Sequence, residues 1–498
     1  MEPVYPALSS DVDVQNPITV PALINGTDVL FSSNFDVIGP HTGGIVWKCT
    51  SASPQDAIRA VEAAEAAFPI WSSTNPTERR RILLKAADLM EERVPEIATT
   101  MITEMGADRG SALDFVTPLG VTMCRDIAAR TTSLEGRITS TEVDGQTATI
   151  QKIPIGVCLG VVTWNAPAVF ATRSIATALA AGCTTVIKAH EFTPRCYYLL
   201  TKCFVDAGVP PGAVNVISCK AEDAAAVTTA MIEHPAVRKI NFTGSADIGR
   251  KLAVTCAQNL KPCLMELGGK NSAIVLEDAN LENAAIQCIL GGLLNSGQIC
   301  MATDRIIVQS KVAQQFKTTF SGILGKMFPG TNPPATVSHA AAKNRIEEIV
   351  AEAEKSGAKI VEGDWNLVAE SNASNAYTNG VFLRPIVVED VKPAMRIWQE
   401  EIFGSVVAMT TVETEEEAVA LANDTRYGLN AAVFTEDIRR GIRVSKRIDV
   451  GQVNINRMTV QGVPALPFGG VKSSGWGRFN HQEGLDEFLT TKVITWMD

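Results

Sequence analysis

The sequence lacks a long apolar segment. No uninterrupted apolar run reaches the ~18 residues that a membrane-spanning helix needs, and the segment 175–186 is too short and is broken by Thr, Gly and Cys. Residues 1–6 contain no basic stretch followed by an apolar one, so we expect no secretory signal peptide. These absences predict a cytoplasmic protein without a membrane partner.

Metal-binding and disulfide patterns are also missing. The five histidines are scattered, with no ligand spacing among them or with cysteines, which disfavours a metal site. The eleven cysteines are an odd number, and no Cys-x-x-Cys pair occurs. Most of the cysteines sit beside apolar or small residues, a pattern typical of buried thiols in a reducing compartment.

Positive charge is scarce and dispersed. The formal net charge is -10 at pH 7, and no basic run interleaves with aromatic residues, so we expect no nucleic-acid partner. A hydrophobic content of 46% with 20% charged residues is that of an ordinary globular protein. Because 498 residues exceed a single ordinary core, two or three domains are expected.

Short apolar strands alternate with helices from residue 157 onward. Strands are predicted at 157–163, 184–188, 214–218, 239–243 and 272–276, with helices between them at 168–181, 194–207, 221–233 and 246–256. This alternation predicts an α/β fold with a doubly wound parallel sheet.

The flanking regions have their own patterns. Helices are predicted at 55–68 and 77–106, and a second α/β region at 281–449 with helices at 343–356 and 415–422. The segment 147–162 alternates and is interrupted at 154–156, as expected for a protruding strand that runs into a buried one. Alternation at 488–496 predicts a final exposed strand, and such strands often pair with another subunit.

Two short segments carry the strongest chemical signal. Segment 265–270 reads Met-Glu-Leu-Gly-Gly-Lys and places Glu266 just before two glycines, while 295–301 leads through Gly297 to Cys300. A thiol nucleophile needs a base, and a buried carboxylate can act as one or activate a water later. Because a free thiol has a pKa of about 8.5, Cys300 needs such activation. The alternative is a buried, inert thiol.

Further candidates lie where the predicted strands end. Asn165 follows the first strand and can donate its amide to an oxyanion, or simply form a turn. Lys188 and Glu191 follow the second strand and can bind the hydroxyls of an adenosine ribose, or be solvated. Gly244 and Ser245 precede a helix whose N-terminus can hold a pyrophosphate, although Ser245 or Asp247 can instead cap that helix.

Seven segments resemble those of the NAD(P)-dependent aldehyde dehydrogenase superfamily, in the same order along the chain. They are 164–167, 188–191, 244–249, 265–270, 297–300, 400–404 and 467–470. The resemblance covers the chain from about residue 15 to the end. Within the superfamily, the segment 164–173 looks like that of salicylaldehyde, vanillin and benzaldehyde dehydrogenases.

The resemblance implies three parts. A doubly wound cofactor domain would comprise 1–135 and 155–264, a catalytic α/β domain 265–453, and a small β oligomerisation flap 136–154 with 479–498. It also implies a homodimer or homotetramer. The dimer–tetramer choice is left open by the sequence.

The resemblance further implies a mechanism. Cys300 would attack the aldehyde, with the oxyanion held by Asn165 and by the Cys300 backbone N–H. Hydride would pass to the nicotinamide, and Glu266 would activate the water that releases the acid. Coenzyme A as acceptor is less favoured, because Glu266 is present.

The implied cofactor is NAD, with NADP also possible, because Glu191 would repel a 2′-phosphate. The residues implied to contact it are Thr163, Trp164, Lys188, Glu191, Gly244, Ser245, Ile248, Gly249, Glu401 and Phe403. Three positions depart from the commoner pattern: Thr163 and Ser405 stand where proline is frequent, and His190 lies within the Lys–Glu segment. None of these departures removes a catalytic group.

The candidate substrate contacts are Phe170, Arg173, Met301 and Phe468. In a tunnel, Arg173 can hydrogen-bond a ring hydroxyl or a carboxylate, which predicts an aromatic or ring-bearing aldehyde with a polar substituent. Alternatively, Arg173 makes only a surface or interface contact. The physiological aldehyde and its pathway stay open.

Two other classes of function are compatible with part of the sequence. A cysteine-dependent esterase or acyl transferase would hydrolyse activated esters without NAD and form no NADH with any aldehyde. A non-catalytic binding protein on the same fold is disfavoured, because Cys300, Glu266 and Asn165 are all present.

Overall fold

The computed structural model describes residues 12, 16–328, 335–361, 380–383 and 385–497. Segment 1–6, on which the expectation of no signal peptide depends, lies outside them. The strands, numbered along the chain, begin with β1 (Thr19–Val20), β2 (Ala22–Ile24), β3 (Thr27–Val29), β4 (Ser33–Ile38), β5 (Ile45–Ser51), β6 (Arg137–Ser140), β7 (Gln146–Pro154), β8 (Val157–Val161), β9 (Thr184–Lys188), β10 (Val214–Ile217), β11 (Val237–Thr243) and β12 (Cys263–Glu266). They continue with β13 (Asn271–Val275), β14 (Thr303–Gln309), β15 (Ala335–Thr336), β16 (Lys359–Val361), β17 (Phe382–Leu383), β18 (Ile386–Glu389), β19 (Val406–Val412), β20 (Asn430–Phe434), β21 (Gln452–Ile455), β22 (Gly475–Trp476) and β23 (Leu489–Met497).

The α-helices are α1 (Pro54–Ser73), α2 (Pro76–Glu92), α3 (Val94–Met105), α4 (Thr117–Arg130), α5 (Pro167–Ala181), α6 (Pro194–Ala207), α7 (Ala224–Glu233), α8 (Ala246–Gln258), α9 (Leu281–Leu293), α10 (Ser310–Met327), α11 (Ala340–Lys355), α12 (Arg396–Gln399), α13 (Glu415–Asn423), α14 (Ile438–Ser445) and α15 (His481–Asp486). A π-helix spans Ser111–Val116, and 3-10 turns span Ala221–Asp223, Leu294–Gly297 and Lys472–Ser474. In the described parts of the chain, no helix is both long and apolar enough to cross a membrane.

Two large sheets organise the molecule. The first has the order β22-β12-β11-β8-β9-β10-β2-β3, and its five central strands from β12 to β10 run parallel. The second has the order β16-β18-β19-β14-β13-β20-β21 and is parallel except for its edge strand β16. The predicted α/β class with a doubly wound parallel sheet is confirmed.

The assignment of segment 272–276 to the first run of strands is wrong. That segment, as β13, lies in the second sheet between β14 and β20, and the edge of the first parallel set is β12, which the sequence did not reveal. The chain therefore crosses from one sheet to the other between Glu266 and Asn271. Gly268 and Gly269 lie in this crossing.

Two predicted helix limits are wrong for identifiable reasons. The helix predicted at 55–68 continues through Pro69 to Ser73, because Trp71 is fully buried and its Nε1 donates to the Leu179 carbonyl at 3.1 Å. The single helix predicted at 77–106 is two helices that meet at Arg93. Pro95 in the first turn of α3 has no N–H for a continuous helix.

A third, small sheet has the order β23-β7-β6. The predicted C-terminal strand is confirmed: β23 pairs antiparallel with β7 from Leu489 opposite Pro154 to Met497 opposite Gln146. The same sheet contains the predicted protruding strand. The predicted domain boundaries and the role of this sheet in oligomerisation stay predictions.

Candidate active site

A cleft of about 1300 Å³ opens at the carboxyl ends of the parallel strands of the first sheet, the usual position of ligand sites in open α/β sheets. The predicted catalytic residues and every predicted cofactor contact except Gly249 line it. These lining residues are Thr163, Trp164, Asn165, Lys188, Glu191, Gly244, Ser245, Ile248, Glu266, Cys300, Glu401 and Phe403.

The remaining predicted residues lie around the cleft. Gly249 lets α8 pack closely against Leu267, because a Cβ on Gly249 would lie 2.5 Å from Leu267 Cδ2. Phe170 lines the cleft, whereas Met301 and Phe468 belong to a buried apolar cluster that also contacts Cys300. Arg173 does not line the cleft, and its surroundings are described below.

Glu266 and Cys300 meet although 34 residues separate them. Glu266 ends β12 in the first sheet, and Cys300 lies shortly before β14 of the second sheet. The Cys300 Sγ–H donates to Glu266 Oε1 at 3.1 Å. Glu266 is 1% exposed, so the carboxylate is withdrawn from bulk water while one oxygen faces the thiol.

The loop before Cys300 has an unusual backbone. Asn295, Ser296 and Gly297 have φ of 50°, 57° and 70°, so three consecutive residues adopt the left-handed conformation. Such a conformation costs free energy for non-glycine residues and persists only where the surroundings enforce it. A Cβ on Gly297 would lie 2.2 Å from the Gly404 carbonyl oxygen, so this position requires glycine.

Hydrogen bonds from distant elements hold this loop. The Asn295 N–H donates to Ser111 Oγ at 3.0 Å, and Gln298 Nε2 donates to the Thr336 carbonyl at 3.1 Å. Asn271 Nδ2 donates to the carbonyls of Cys300 at 2.9 Å and Ala302 at 2.8 Å. These contacts fix the position of Cys300 and satisfy buried carbonyls.

The Asn165 amide points toward the same loop. Its Nδ2 donates to the Gln298 carbonyl at 3.0 Å, and its own backbone carbonyl accepts from Asn295 Nδ2 at 3.2 Å. An amide nitrogen carries two hydrogens, so a second donor remains for a ligand. Within the described residues the Cys300 backbone N–H also donates to no other group.

Burial is the largest influence on the pKa of both Cys300 and Glu266. It raises the pKa of the Cys300 thiol well above its ordinary value, and the charge of Glu266 raises that pKa further. Burial also raises the pKa of Glu266, whereas the positive charge of Arg173 and the side chains of Cys300 and Thr243 lower it. The thiol is therefore protonated in this arrangement, and ionisation of Glu266 depends on Arg173.

Arg173 lies behind Glu266. Its Nη1 is 3.7 Å from Glu266 Oε2, its Nε donates to Asn480 Oδ1 at 3.3 Å, and its guanidinium carbon lies 4.3 Å from the Phe468 ring centroid and 5.4 Å from that of Phe479. The side chain is 3% exposed. All fifteen residues of α5 are buried, which explains why Arg173 does not contact the surface.

The other end of the cleft contains Lys188 and Glu191. Lys188 Nζ lies 4.0 Å from Glu191 Oε2, and His190 Nδ1 lies 3.3 Å from the same oxygen. The Phe192 N–H donates to His190 Nδ1 at 3.2 Å, and burial lowers the pKa of His190 to about 4, so the ring is neutral near pH 7. Ser245 caps α8 by accepting from the Ile248 N–H at 3.4 Å.

Glu401 is held beside the glycines of the sheet crossing. The Gly269 N–H donates to Glu401 Oε1 at 2.9 Å, and Arg345 Nη2 donates to the Glu401 backbone carbonyl at 2.7 Å. Burial raises the pKa of Glu401 to about 7. Trp164 and Phe403 meet edge to face nearby, with ring centroids 5.7 Å apart.

Sequence reasoning missed several residues of this site. Asn271 directly follows the segment 265–270, and this adjacency was an available signal. No sequence signal pointed to three other residues of the site, Arg345, Asn480 and Ser111. Each of them reaches the site from a helix or turn far away in the chain.

Both the sequence and the fold are similar to those of known proteins. The sequence profile of the aldehyde dehydrogenase family matches residues 30–494. The chain is 38% identical over 483 residues to a vanillin dehydrogenase from Pseudomonas sp. (strain HR199 / DSM 7063), covering 96% of this chain and 97% of the relative.

Solved structures of aldehyde dehydrogenases have a similar fold. A salicylaldehyde dehydrogenase from Pseudomonas putida G7, complexed with salicylaldehyde, superimposes with a TM-score of 0.90 at 34% identity, covering 97% of this chain and 98% of the other. A betaine aldehyde dehydrogenase from Staphylococcus aureus, in complex with NAD+, superimposes with a TM-score of 0.90 at 30% identity. The superposition covers 96% of this chain and 95% of the other.

Proposed function

The chain belongs to the aldehyde dehydrogenase family and is an aldehyde dehydrogenase that uses a nicotinamide cofactor; on this premise we propose that it oxidises aromatic aldehydes to carboxylic acids with NAD. The observation that carries the proposal is the Cys300–Glu266 pair, 3.1 Å apart on the wall of the cleft. The similarity to vanillin and salicylaldehyde dehydrogenases and the apolar side chains of Phe170, Met301 and Phe468 support an aromatic substrate.

In the first step, Cys300 Sγ forms a bond to the aldehyde carbon. The thiol proton passes to Glu266 Oε1, the acceptor that it already faces. The aldehyde oxygen becomes an oxyanion, which accepts hydrogen bonds from Asn165 Nδ2 and from the Cys300 backbone N–H. When bound, a nicotinamide would supply the hydride acceptor that the oxidation needs; the carbon bonded to Cys300 Sγ would lose hydride, its oxyanion would return to a carbonyl, and a thioester would remain on Cys300.

Glu266 acts again when the acid is released. It lines the cleft, so the proton taken from the thiol can leave to solvent, and the carboxylate regains its capacity as a base. Glu266 then accepts a proton from a water, and the hydroxide attacks the thioester on Cys300. The acid departs and the thiolate takes up a proton.

The residues of the cleft fit a nicotinamide dinucleotide. A Cβ on Gly268 would lie 2.2 Å from Glu401 Oε2, so only glycine leaves Glu401 beside the cleft. The nicotinamide ribose and ring would be held by Glu401 and Phe403. The pyrophosphate would be held by Trp164, Ser245 and the N-terminus of α8. Thr163, Gly244 and Ile248 would border them.

Cofactor choice would depend on Glu191. Its carboxylate, with Lys188 nearby, can bind the two hydroxyls of the adenosine ribose. A 2′-phosphate in the same place would meet a negative charge that the neutral ring of His190 does not offset. This arrangement supports NAD over NADP.

We also propose the domain division given by the resemblance: 1–135 with 155–264 for the cofactor, 265–453 for catalysis, and 136–154 with 479–498 as the oligomerisation flap. The small β sheet and its exposed apolar side chains support a dimer or tetramer.

All eleven cysteines are free, which supports the cytoplasm as the compartment.

The test is an aldehyde panel with NAD and with NADP, followed by NADH or NADPH absorbance. We expect benzaldehydes to give higher kcat/KM than short aliphatic aldehydes, NAD to be preferred, and Cys300→Ala to abolish turnover. Activity that survives in Cys300→Ala contradicts the mechanism. Ester hydrolysis without any NADH formation indicates the esterase alternative instead.

A further inference from the structure

Glu266 has one buried oxygen without a hydrogen-bond partner. Oε1 accepts from the Cys300 thiol, whereas Oε2 accepts no hydrogen bond within the described residues. A buried carboxylate oxygen without a partner is costly unless a nearby charge compensates it. The cation of Arg173, 3.7 Å away and 3% exposed, is that charge.

Arg173 is itself held in place by the C-terminal segment. Asn480 accepts from Arg173 Nε, and Phe468 and Phe479 flank the guanidinium. The backbones of these two phenylalanines pair with each other, Phe468 N–H to Phe479 O at 2.8 Å and Phe479 N–H to Phe468 O at 2.7 Å. The guanidinium therefore has a fixed position relative to Glu266, and its forked shape leaves Nη1 directed at the carboxylate.

We propose that Arg173, fixed by Asn480, is a positioning residue that keeps Glu266 ionised and oriented for hydrolysis of the Cys300 thioester. This inference depends on the proposed function. It gives Arg173 a different role from the contact with a polar substituent of the substrate that the sequence suggested. Arg173 acts through Glu266 and does not touch the reacting atoms.

The pH dependence follows from the groups that face Glu266. Arg173 comes from α5, Cys300 from the loop before β14 and Thr243 from β11, and all three favour the charged carboxylate, against burial. Removal of the cation raises the pKa of Glu266 further, so the base is ionised only at higher pH. The acid limb of the pH profile of kcat therefore moves upward, by about one unit or more.

The test separates acylation from deacylation by stopped-flow measurement of NADH, with NAD and either benzaldehyde or salicylaldehyde. In Arg173→Gln we expect an initial NADH burst of about one per active site, then a steady-state rate reduced by about tenfold at pH values on the acid limb, as a shift of about one unit produces. Arg173→Lys, which keeps the charge, should shift the acid limb less. The matched control is Arg93→Gln, which removes an ion pair to Asp206 and should leave kinetics unchanged.

Asn480→Gly provides an independent variant in case Arg173→Gln does not fold. Asn480 has φ of 62°, which glycine adopts without strain, and the change removes a buried side-chain amide together with the acceptor of Arg173 Nε. We expect an acid-limb shift in the same direction but smaller.

Several outcomes would overturn the inference. An unchanged acid limb in Arg173→Gln, or in Asn480→Gly where the first variant does not fold, excludes the positioning role. Because Glu266 also takes up the thiol proton during acylation, a burst that stays lost at pH values above the acid limb, together with the steady-state rate, shows that Arg173 acts on Cys300 and not through Glu266. A changed salicylaldehyde-to-benzaldehyde ratio of kcat/KM with an unchanged pH profile assigns Arg173 to the substrate. Failure of the proposed function itself is distinct, because the unmodified enzyme would then form no NADH with any aldehyde.

Discussion

At the residue scale, the two hydrogens of the Asn165 amide differ in their partners. One N–H of its amide donates to the Gln298 carbonyl, which fixes the amide plane against the loop that carries Cys300. The second N–H is then pre-oriented, so it can stabilise a developing oxyanion without reorganisation.

We predict that Asn165→Ala reduces kcat/KM for the aldehyde by a factor that corresponds to ~2.7–4 kcal/mol, the usual loss for one oxyanion-hole donor. The KM for NAD should change little, because Asn165 is not a proposed cofactor contact. Steady-state kinetics with benzaldehyde measure both. A KM change for the aldehyde without any loss in kcat would contradict the oxyanion role.

The sequence pointed to the three candidate catalytic residues but not to the side chains that hold them in place. Glu266, Cys300 and Asn165 follow from local context, because each lies next to glycines or at a strand end. The partners of Arg173 did not follow, since they depend on which face of α5 meets β12 and the segment around Asn480. The burial of α5 on all sides leaves no amphipathic pattern from which to read that orientation.

At the scale of secondary-structure elements, the crossing between the two sheets brings the functional groups together. Gly268 and Gly269 lie between β12 and β13, and Glu401 packs directly onto them. A side chain at Gly268 would occupy the place of the Glu401 carboxylate.

We predict that Gly268→Ala raises the KM for NAD about tenfold while the protein stays folded. Glu401 is the end of a flexible side chain, so it can move aside, but its hydrogen bond from the Gly269 N–H is then lost. Steady-state kinetics at varied NAD, with a thermal melt, measure both effects.

The matched control for this variant is Gly322→Ala in α10, where an added Cβ meets no atom within 4 Å. It should leave the KM for NAD unchanged and stabilise the protein by about 0.5–1 kcal/mol. If both variants have the same KM as the unmodified enzyme, Glu401 does not hold the cofactor.

Element prediction succeeded where local signals were strong. The segments 184–188 and 194–207 have the predicted bounds, because an apolar run and a start at Pro194 define them. It failed for β12, which is only four residues long and pairs between β11 and β22. Short strands of this kind are recognised by their neighbours, not by their own composition.

At the scale of the whole molecule, the small sheet β23-β7-β6 presents apolar side chains to solvent. Ile138 on β6 pairs with Thr149 on β7, and Thr149 pairs with Ile494 on β23, so the two isoleucines lie in one row across the sheet. They are 78% and 39% exposed. An exposed apolar row beside an unpaired strand edge is typical of a subunit interface.

We predict that Ile138→Glu combined with Ile494→Glu converts a dimer or tetramer into monomers, because two carboxylates would be buried at the interface. Size-exclusion chromatography with light scattering measures the mass. The control is Ile70→Glu on α1, a residue 67% exposed outside this sheet, which should leave the mass unchanged. A monomeric unmodified protein would refute the predicted oligomerisation.

The sequence by itself determined the fold class and the family, and it singled out the Cys300 thiol, the Glu266 carboxylate and the Asn165 amide as candidates for catalysis. It could do so because apolar periodicity and glycine placement act locally. Only the tertiary structure decided that Glu266 and Cys300 come from two different sheets and that Arg173 faces Glu266 instead of the cleft. Those contacts join residues far apart in the chain, and packing alone selects them.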